Sequence, residues 1–261
     1  IRCDSGHETR STLAMTNLND VELSGSMPAV ICHGPQDYRL EQWPVPKAGP
    51  GEIIVEVASV GICASDLKCY LGAAMFWGEA NREGYCQAPV IPGHEFVGKV
   101  VALGEGAEQQ HGLKLGDTAV SEQIVPCRKC RYCRGGQYWM CQVHDIYGFR
   151  QRTFGAMARY IRFPADARNY KVPDSIPLEH AVFIEPLACS IHAVHRGDIG
   201  SEDVVVLAGC GPLGLGMVAA ARRLRPRCTP AWRVLTTRYF STSAYDMVNQ
   251  LSKHSPLELI L

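Results

Sequence analysis

Four cysteines fall within a short stretch, Cys127-x-x-Cys130-x-x-Cys133-x(7)-Cys141, and this spacing constrains the chain more than any other feature. Four thiolates so close together can wrap one tetrahedral zinc ion and leave no position for substrate, so the stretch 127–141 reads as a structural metal lobe. Arg128, Lys129, Arg131 and Arg134 lie among the cysteines, where their charge is expected to lower the thiol pKa values and offset a tetrathiolate. A redox Cys-x-x-Cys pair and free surface thiols are the competing readings of the same residues. There are twelve cysteines in total, yet four sit in this lobe, whereas a secreted disulfide framework spreads them along a short chain. A reducing, cytoplasmic compartment is therefore expected, and no basic-then-apolar leader opens the chain.

The length of 261 residues suffices for one large domain or two ordinary ones, and 46% hydrophobic with 20% charged residues is the balance of a soluble globular protein. Lys+Arg and Asp+Glu both total 26, so nothing in the net charge points to nucleic acid or an anionic membrane. The long uncharged run from Val204 to Ala221 is not read as a membrane span, because Gly209, Gly211, Pro212, Gly214 and Gly216 interrupt it. Strand, turn and helix are the expectation there.

In chain order, residues 1–27 are polar and without period, and are expected to form a flexible extension with Met27 as a candidate initiator. Short β-like runs follow at 29–32, 38–43 and 52–60, then at 96–103, 118–123 and 156–163, each bounded by Gly or Pro. Many short strands with frequent turns predict a β-barrel-like domain. Helical spacing takes over from Pro177 to Arg196, with Ser175 as the expected N-cap. The apolar run Val204 to Ala208 suits a buried parallel strand, and 215–224 suits a helix. Beyond Pro226 the pattern decays, so the strand at 204–208 is expected to lack strand neighbours.

Three dispersed residue types carry the chemistry. Cys63 offers a thiolate, His94 and Glu95 an imidazole beside a carboxylate, and Glu185 a second carboxylate. Cys, His and Glu are zinc donors, and three protein ligands leave a coordination position for substrate. Taken singly, Cys63 reads as a small buried hydrophobe, His94 as a core histidine and Glu185 as a helix-start carboxylate. Gly209-x-Gly211-Pro212-Leu213-Gly214 follows a strand and opens a helix, the context that a pyrophosphate-binding turn requires. The acidic residue expected about twenty positions on, to bind ribose hydroxyls, is missing. The sequence there, 234–238, reads Val-Leu-Thr-Thr-Arg.

The ordered set Gly-Ile-Cys63-Ala-Ser65-Asp66, Pro-Gly-His94-Glu95, the four-cysteine lobe, Glu185-Pro-Leu and Gly209-Cys-Gly-Pro-Leu-Gly214 resembles the zinc-dependent medium-chain alcohol and polyol dehydrogenases, over about 27–225. The segments 63–70, 76–78 and 147–149 look most like erythritol/L-threitol dehydrogenases. The resemblance implies α+β combined with α/β: a GroES-like β-barrel catalytic domain over 28–186, an incomplete Rossmann domain over 187–225, and an out-of-family tail over 226–261. It implies a catalytic zinc on Cys63, His94 and either Glu95 or Glu185, and a structural zinc on Cys127, Cys130, Cys133 and Cys141. Ser65 would pass the alcohol proton outward and Asp66 would brace His94. NAD would rest on Gly209, Gly211, Pro212, Leu213 and Gly214, and weak NAD binding is expected given the missing acid. The implied reaction is oxidation of a secondary hydroxyl of a small polyol by hydride transfer to NAD. Homo-oligomers are usual in such a family, and neither nucleic acid nor membrane is an expected partner. The alternative is a catalytically silent zinc-binding remnant.

Overall fold

The computed structural model describes residues 23–207, 209, 211–224 and 257–260. Strand β1 (Ser26–Gly34) forms an antiparallel hairpin with β2 (Asp37–Pro44). It begins inside the stretch expected to be a flexible extension. Met27 is 2% exposed and packs with Ile31, Ile54 and Tyr160, so burial of its side chain draws residues 26–27 into the strand. The part of the expected extension before residue 23 lies outside the described residues.

Next in order come β3 (Ile53–Gly61), the helices α1 (Ala64–Tyr70) and α2 (Ala74–Trp77), a small hairpin of β4 (Gly78–Glu79) and β5 (Arg82–Glu83), and β6 (Glu95–Leu103). Then follow α3 (Ala107–His111), β7 (Thr118–Ser121), β8 (Ile124–Val125), α4 (Arg131–Arg134), β9 (Asp145–Ile146), β10 (Tyr160–Phe163) and β11 (Asn169–Lys171). Five strands make one antiparallel sheet in the order β10-β3-β6-β7-β11. Its core is built on Ile53, Val55, Phe96, Val100 and Phe163, apolar residues that made the strands legible, together with Tyr147 from just after β9. The strand expected over 156–163 is shorter because Ala156 and Met157 donate to Gly93 and Pro92 carbonyls, while the Met157 carbonyl accepts from Val30. Those bonds tie the first hairpin to the loop that carries His94.

The helix expected over 177–196 is two helices, α5 (Leu178–Ala181) and α6 (Ile184–Arg196). A continuous helix would need an N–H at residue 186 to reach the carbonyl of residue 182, and Pro186 has none. Restarting at Ile184 places Pro186 in a first turn, where the missing donor does no harm. Pro177 rather than Ser175 stands at the N-cap of α5.

A mixed α/β portion follows. Strand β12 (Val204–Leu207) leads through the glycine turn into α7 (Pro212–Arg223), and β12 pairs in parallel with β13 (Leu257–Ile260). The expectation that the 204–208 run has no strand neighbour is thus corrected. An apolar strand must satisfy its backbone donors and acceptors, and the four residues that do so form too short a run to show a period. Helices α6 and α7 pack through Val194, Ala220 and Ala221. They approach so closely that a Cβ on Gly216 would lie 2.5 Å from Ser190 Oγ. Among the described residues no helix is long and apolar enough to cross a membrane.

Candidate metal centre

The register of β3 and β6 sets Gly61 opposite Glu95. Two residues past Gly61 the chain reaches Cys63, and the residue before Glu95 is His94, so one pair of strand ends gathers three possible donors. Cys63 is the N-cap of α1, and its backbone N–H donates to Asp66 Oδ2 at 2.9 Å. That bond fixes Ser65 and Asp66 in the first turn. The donor atoms of Cys63, His94 and Glu95 all lie within 4.8 Å of one another. A thiolate, an imidazole and a carboxylate so placed fit a zinc ion.

His94 is 3% exposed and Asp66 4% exposed. Ser65 Oγ lies 3.2 Å from His94 Nε2, and Asp66 Oδ1 faces His94 Nδ1 at 3.5 Å. Neither of the latter two atoms has a hydrogen-bond partner, so a shift of a few tenths of an ångström would join them. Burial alone would push the His94 imidazole down, but Asp66 and Cys63 beside it outweigh that and raise its pKa to about 10. The ring also packs against the buried Phe149, with centroids 5.4 Å apart.

Glu185 stands outside this three-donor group. It sits in the first turn of α6, where Oε1 accepts a hydrogen bond from the Cys189 thiol at 3.2 Å. Burial raises its carboxyl pKa, against the opposing pull of Cys189 and of His94. With Gln123, Tyr138, Trp139, Cys189 and His192 it lines a cavity of about 460 Å³. Of the two glutamates expected as a third ligand, the geometry brings Glu95 to Cys63 and His94.

In the lobe, the sulfurs of Cys127, Cys130, Cys133 and Cys141 also lie within 4.8 Å of one another, with Cys127 and Cys133 4.0 Å apart. Backbone N–H groups point at them: Cys127 donates to Cys141 Sγ at 3.3 Å, Cys130 to Cys127 Sγ at 3.4 Å and Cys133 to Cys130 Sγ at 3.5 Å. The Cys133 N–H, followed by that of Gln142, lowers the Cys130 thiol to about 6. At Cys130 it is thus backbone N–H groups, and not the expected neighbouring cations, that lead this lowering. Arg128 pairs with Asp166 and Arg131 lies over Tyr132. Four sulfurs in this arrangement fit a tetrahedral ion.

At the glycine turn, Gly209 has φ +107°, and a Cβ on Gly214 would fall 2.2 Å from the Gly209 carbonyl oxygen. Gly211 caps α7, Pro212 is its first residue and Leu213 is exposed. The helix N-terminus is thereby left open to an anion. Cys210 and the 234–238 stretch lie outside the described residues.

Residue spacing gave no sign of a third convergence. Cys32, Cys69 and Cys86 meet with their sulfurs within 4.8 Å of one another. Their separations in sequence match no ligand pattern, and the one available hint was a surplus of cysteines over those needed by two zinc sites.

Residues 49–174 match the alcohol dehydrogenase GroES-like domain. The chain is 59% identical over 200 residues to the erythritol/L-threitol dehydrogenase of Mycolicibacterium smegmatis, covering 77% of this chain and 55% of that protein. It is 31% identical over 235 residues to the sorbitol dehydrogenase of Homo sapiens, covering 88% of this chain and 62% of the relative. Among solved structures it resembles acetophenone reductase from Geotrichum candidum in complex with NAD, with a TM-score of 0.66 and 25% identity over 78% of this chain and 57% of that one. The chain spans about half the length of the curated relatives it matches.

Proposed function

Because the chain belongs to the zinc-dependent medium-chain alcohol and polyol dehydrogenases, we propose that it oxidises a secondary hydroxyl of a small sugar alcohol such as erythritol or L-threitol. The observation that carries this reading is the convergence of Cys63, His94 and Glu95 on one point, with Ser65 and Asp66 on either side of the imidazole. Cys63, His94 and Glu95 hold the catalytic zinc, with Glu185 in reserve on the neighbouring helix, and Cys127, Cys130, Cys133 and Cys141 hold the structural one. Bound zinc supplies Lewis-acid polarisation of the substrate hydroxyl, and NAD at Gly209, Gly211, Pro212, Leu213 and Gly214 supplies the hydride acceptor.

The chain's own residues do the rest. Asp66 faces Nδ1 of His94, where a hydrogen bond would fix the ring and leave Nε2 free to ligate a metal. Cys63 and Glu95 bring negative charge that offsets the cation. Ser65, with its hydroxyl beside Nε2, would relay the substrate proton, accepting it on Oγ as its own O–H proton leaves toward water. Free thiols throughout the described residues suit a reducing compartment, and we place the protein in the cytoplasm.

The missing acid at 234–238 favours a second reading, a zinc-binding protein that does not turn over substrate. Polyol-dependent reduction of NAD or NADP by the purified, zinc-supplemented protein tests the two. The dehydrogenase reading expects turnover that falls at least tenfold in Ser65→Ala. No nicotinamide reduction with any small polyol would favour the second reading.

A further inference from the structure

Three separate parts of the fold deliver three of the cysteines that neither zinc site uses. Cys32 is on β1, Cys69 is in the last turn of α1, and Cys86 follows β5. Cys32 is 0% exposed, Cys69 1%, and Cys86 is half-buried. Each backbone is anchored. The Cys32 N–H donates to the Val90 carbonyl at 2.8 Å, and the Cys32 carbonyl accepts from the Val90 N–H at 3.1 Å. Cys86 N–H donates to the Phe76 carbonyl at 2.8 Å, and the Trp77 indole N–H donates to the Cys69 carbonyl at 2.7 Å. The sulfurs are therefore set by the fold and not by a loop free to close or spread.

We propose that Cys32, Cys69 and Cys86 form a third metal site, which takes a thiophilic d10 cation, zinc or cuprous copper, through three thiolates. Ligand sulfurs about 2.3 Å from one ion sit roughly 4 Å from each other. Sulfurs no more than 4.8 Å apart are thus close to a coordination geometry. Among the described residues, the only other groups that converge so tightly are the two already described. Soft, uncharged-to-anionic sulfur donors select zinc or cuprous copper and disfavour magnesium or calcium. A disulfide would account for two of the sulfurs and leave the third unexplained, whereas one ion accounts for all three. The surroundings agree: Phe76 and Phe149 pack on Cys69 and keep bulk water away. The Tyr38 hydroxyl faces Cys32 and Cys69, where it can share the negative charge that an ion leaves uncompensated.

The ion would tie the far end of α1 to β1 and to the segment that leads to His94. The helix whose first turn carries Ser65 and Asp66 would then be clamped at both ends.

The test uses the purified full chain, prepared under reducing conditions from cultures supplemented with zinc or with copper. Elemental analysis compares wild type with Cys86→Ser, the substitution at the most exposed of the three, and circular dichroism establishes that the variant folds. In parallel, wild-type protein is alkylated with iodoacetamide before and after a chelator, and the labelled peptides are mapped. The expected result is one ion fewer per chain in Cys86→Ser, and Cys86 labelling that rises at least tenfold once the ion is removed. The culture that produces the difference identifies the cation. Equal ion content in the two proteins, with Cys86 labelling indifferent to the chelator, would overturn the proposal. So would a disulfide between any two of the three in the purified protein. Should Cys86→Ser fold poorly, the labelling of wild type decides alone.

Discussion

Gly61 lies opposite Glu95 at the paired ends of β3 and β6, and a Cβ on Gly61 would fall 2.6 Å from Glu95 Oε2 and 3.1 Å from Glu95 Cβ. The missing side chain is what lets this carboxylate lie beside Cys63 and His94. Oε2 is the far end of a flexible side chain and can swing away, and Cβ needs to give only a few tenths of an ångström, so Gly61→Ala is expected to fold, with a stability loss of about 1 kcal/mol. Its zinc affinity at this centre should fall roughly tenfold to a hundredfold, on the scale of disturbed metal-site support. Calorimetric zinc titration reads both the affinity and the stoichiometry. Unchanged affinity would remove Glu95 from the ligand set.

Asp66→Asn keeps the shape and the acceptor for the Cys63 N–H but removes the charge facing His94 Nδ1. In the metal-free protein the His94 pKa, now about 10, should drop, because burial that pushes it down is no longer opposed by a carboxylate. NMR titration of the imidazole measures this. A pKa that stays near its present value would show that Asp66 does not brace the ring.

The four-cysteine lobe should depend on its ion. Four sulfurs within 4.8 Å repel one another once ionised and without a cation between them. A strong zinc chelator is therefore expected to strip hydrogen-exchange protection from 127–141 while the amides of β3 and β6 keep theirs. Trp139, whose ring lies 5.0 Å from that of His192, should report the same opening by fluorescence. Retained protection in the lobe would argue for redox or surface thiols instead.

Asp117 gives a test of stability against pH. Burial pushes its carboxyl up, but the Lys171 ammonium at 2.6 Å and the Lys114 N–H outweigh burial and hold the pKa below its ordinary value. A depressed folded pKa contributes stability that is present above the unfolded value of about 3.9 and is lost as pH falls through the folded value. Lys171→Met should therefore melt below wild type at neutral pH, with the gap closing in acid. A gap independent of pH would mean that the lysine acts through its stem and not its charge.

How far the sequence could be read depends on where each interaction lives. The β-branched run Ile53-Ile54-Val55-Glu56-Val57 between Gly51 and Gly61 is a local signal, and it located β3 to within a residue. The restart at Ile184 was also local in cause, since Pro186 carries it, but helical spacing on both sides hid the break. The choice between Glu95 and Glu185 was not local at all. It depends on a register that sets Gly61 against Glu95, and no spacing encodes that pairing. The same holds for Cys32, Cys69 and Cys86, which meet through three elements distant along the chain. Chain-local ligand sets such as Cys127 to Cys141 announce themselves, whereas sets assembled by folding do so only when a family resemblance supplies the order.

The central claim is that Cys63, His94 and Glu95 share one zinc ion, and zinc-edge anomalous diffraction from crystals grown with zinc tests it most directly. A peak at about 2.0–2.3 Å from Cys63 Sγ, a His94 ring nitrogen and a Glu95 carboxylate oxygen is the predicted result. A map with a strong peak in the Cys127–Cys141 lobe and none between Cys63 and His94 would contradict it.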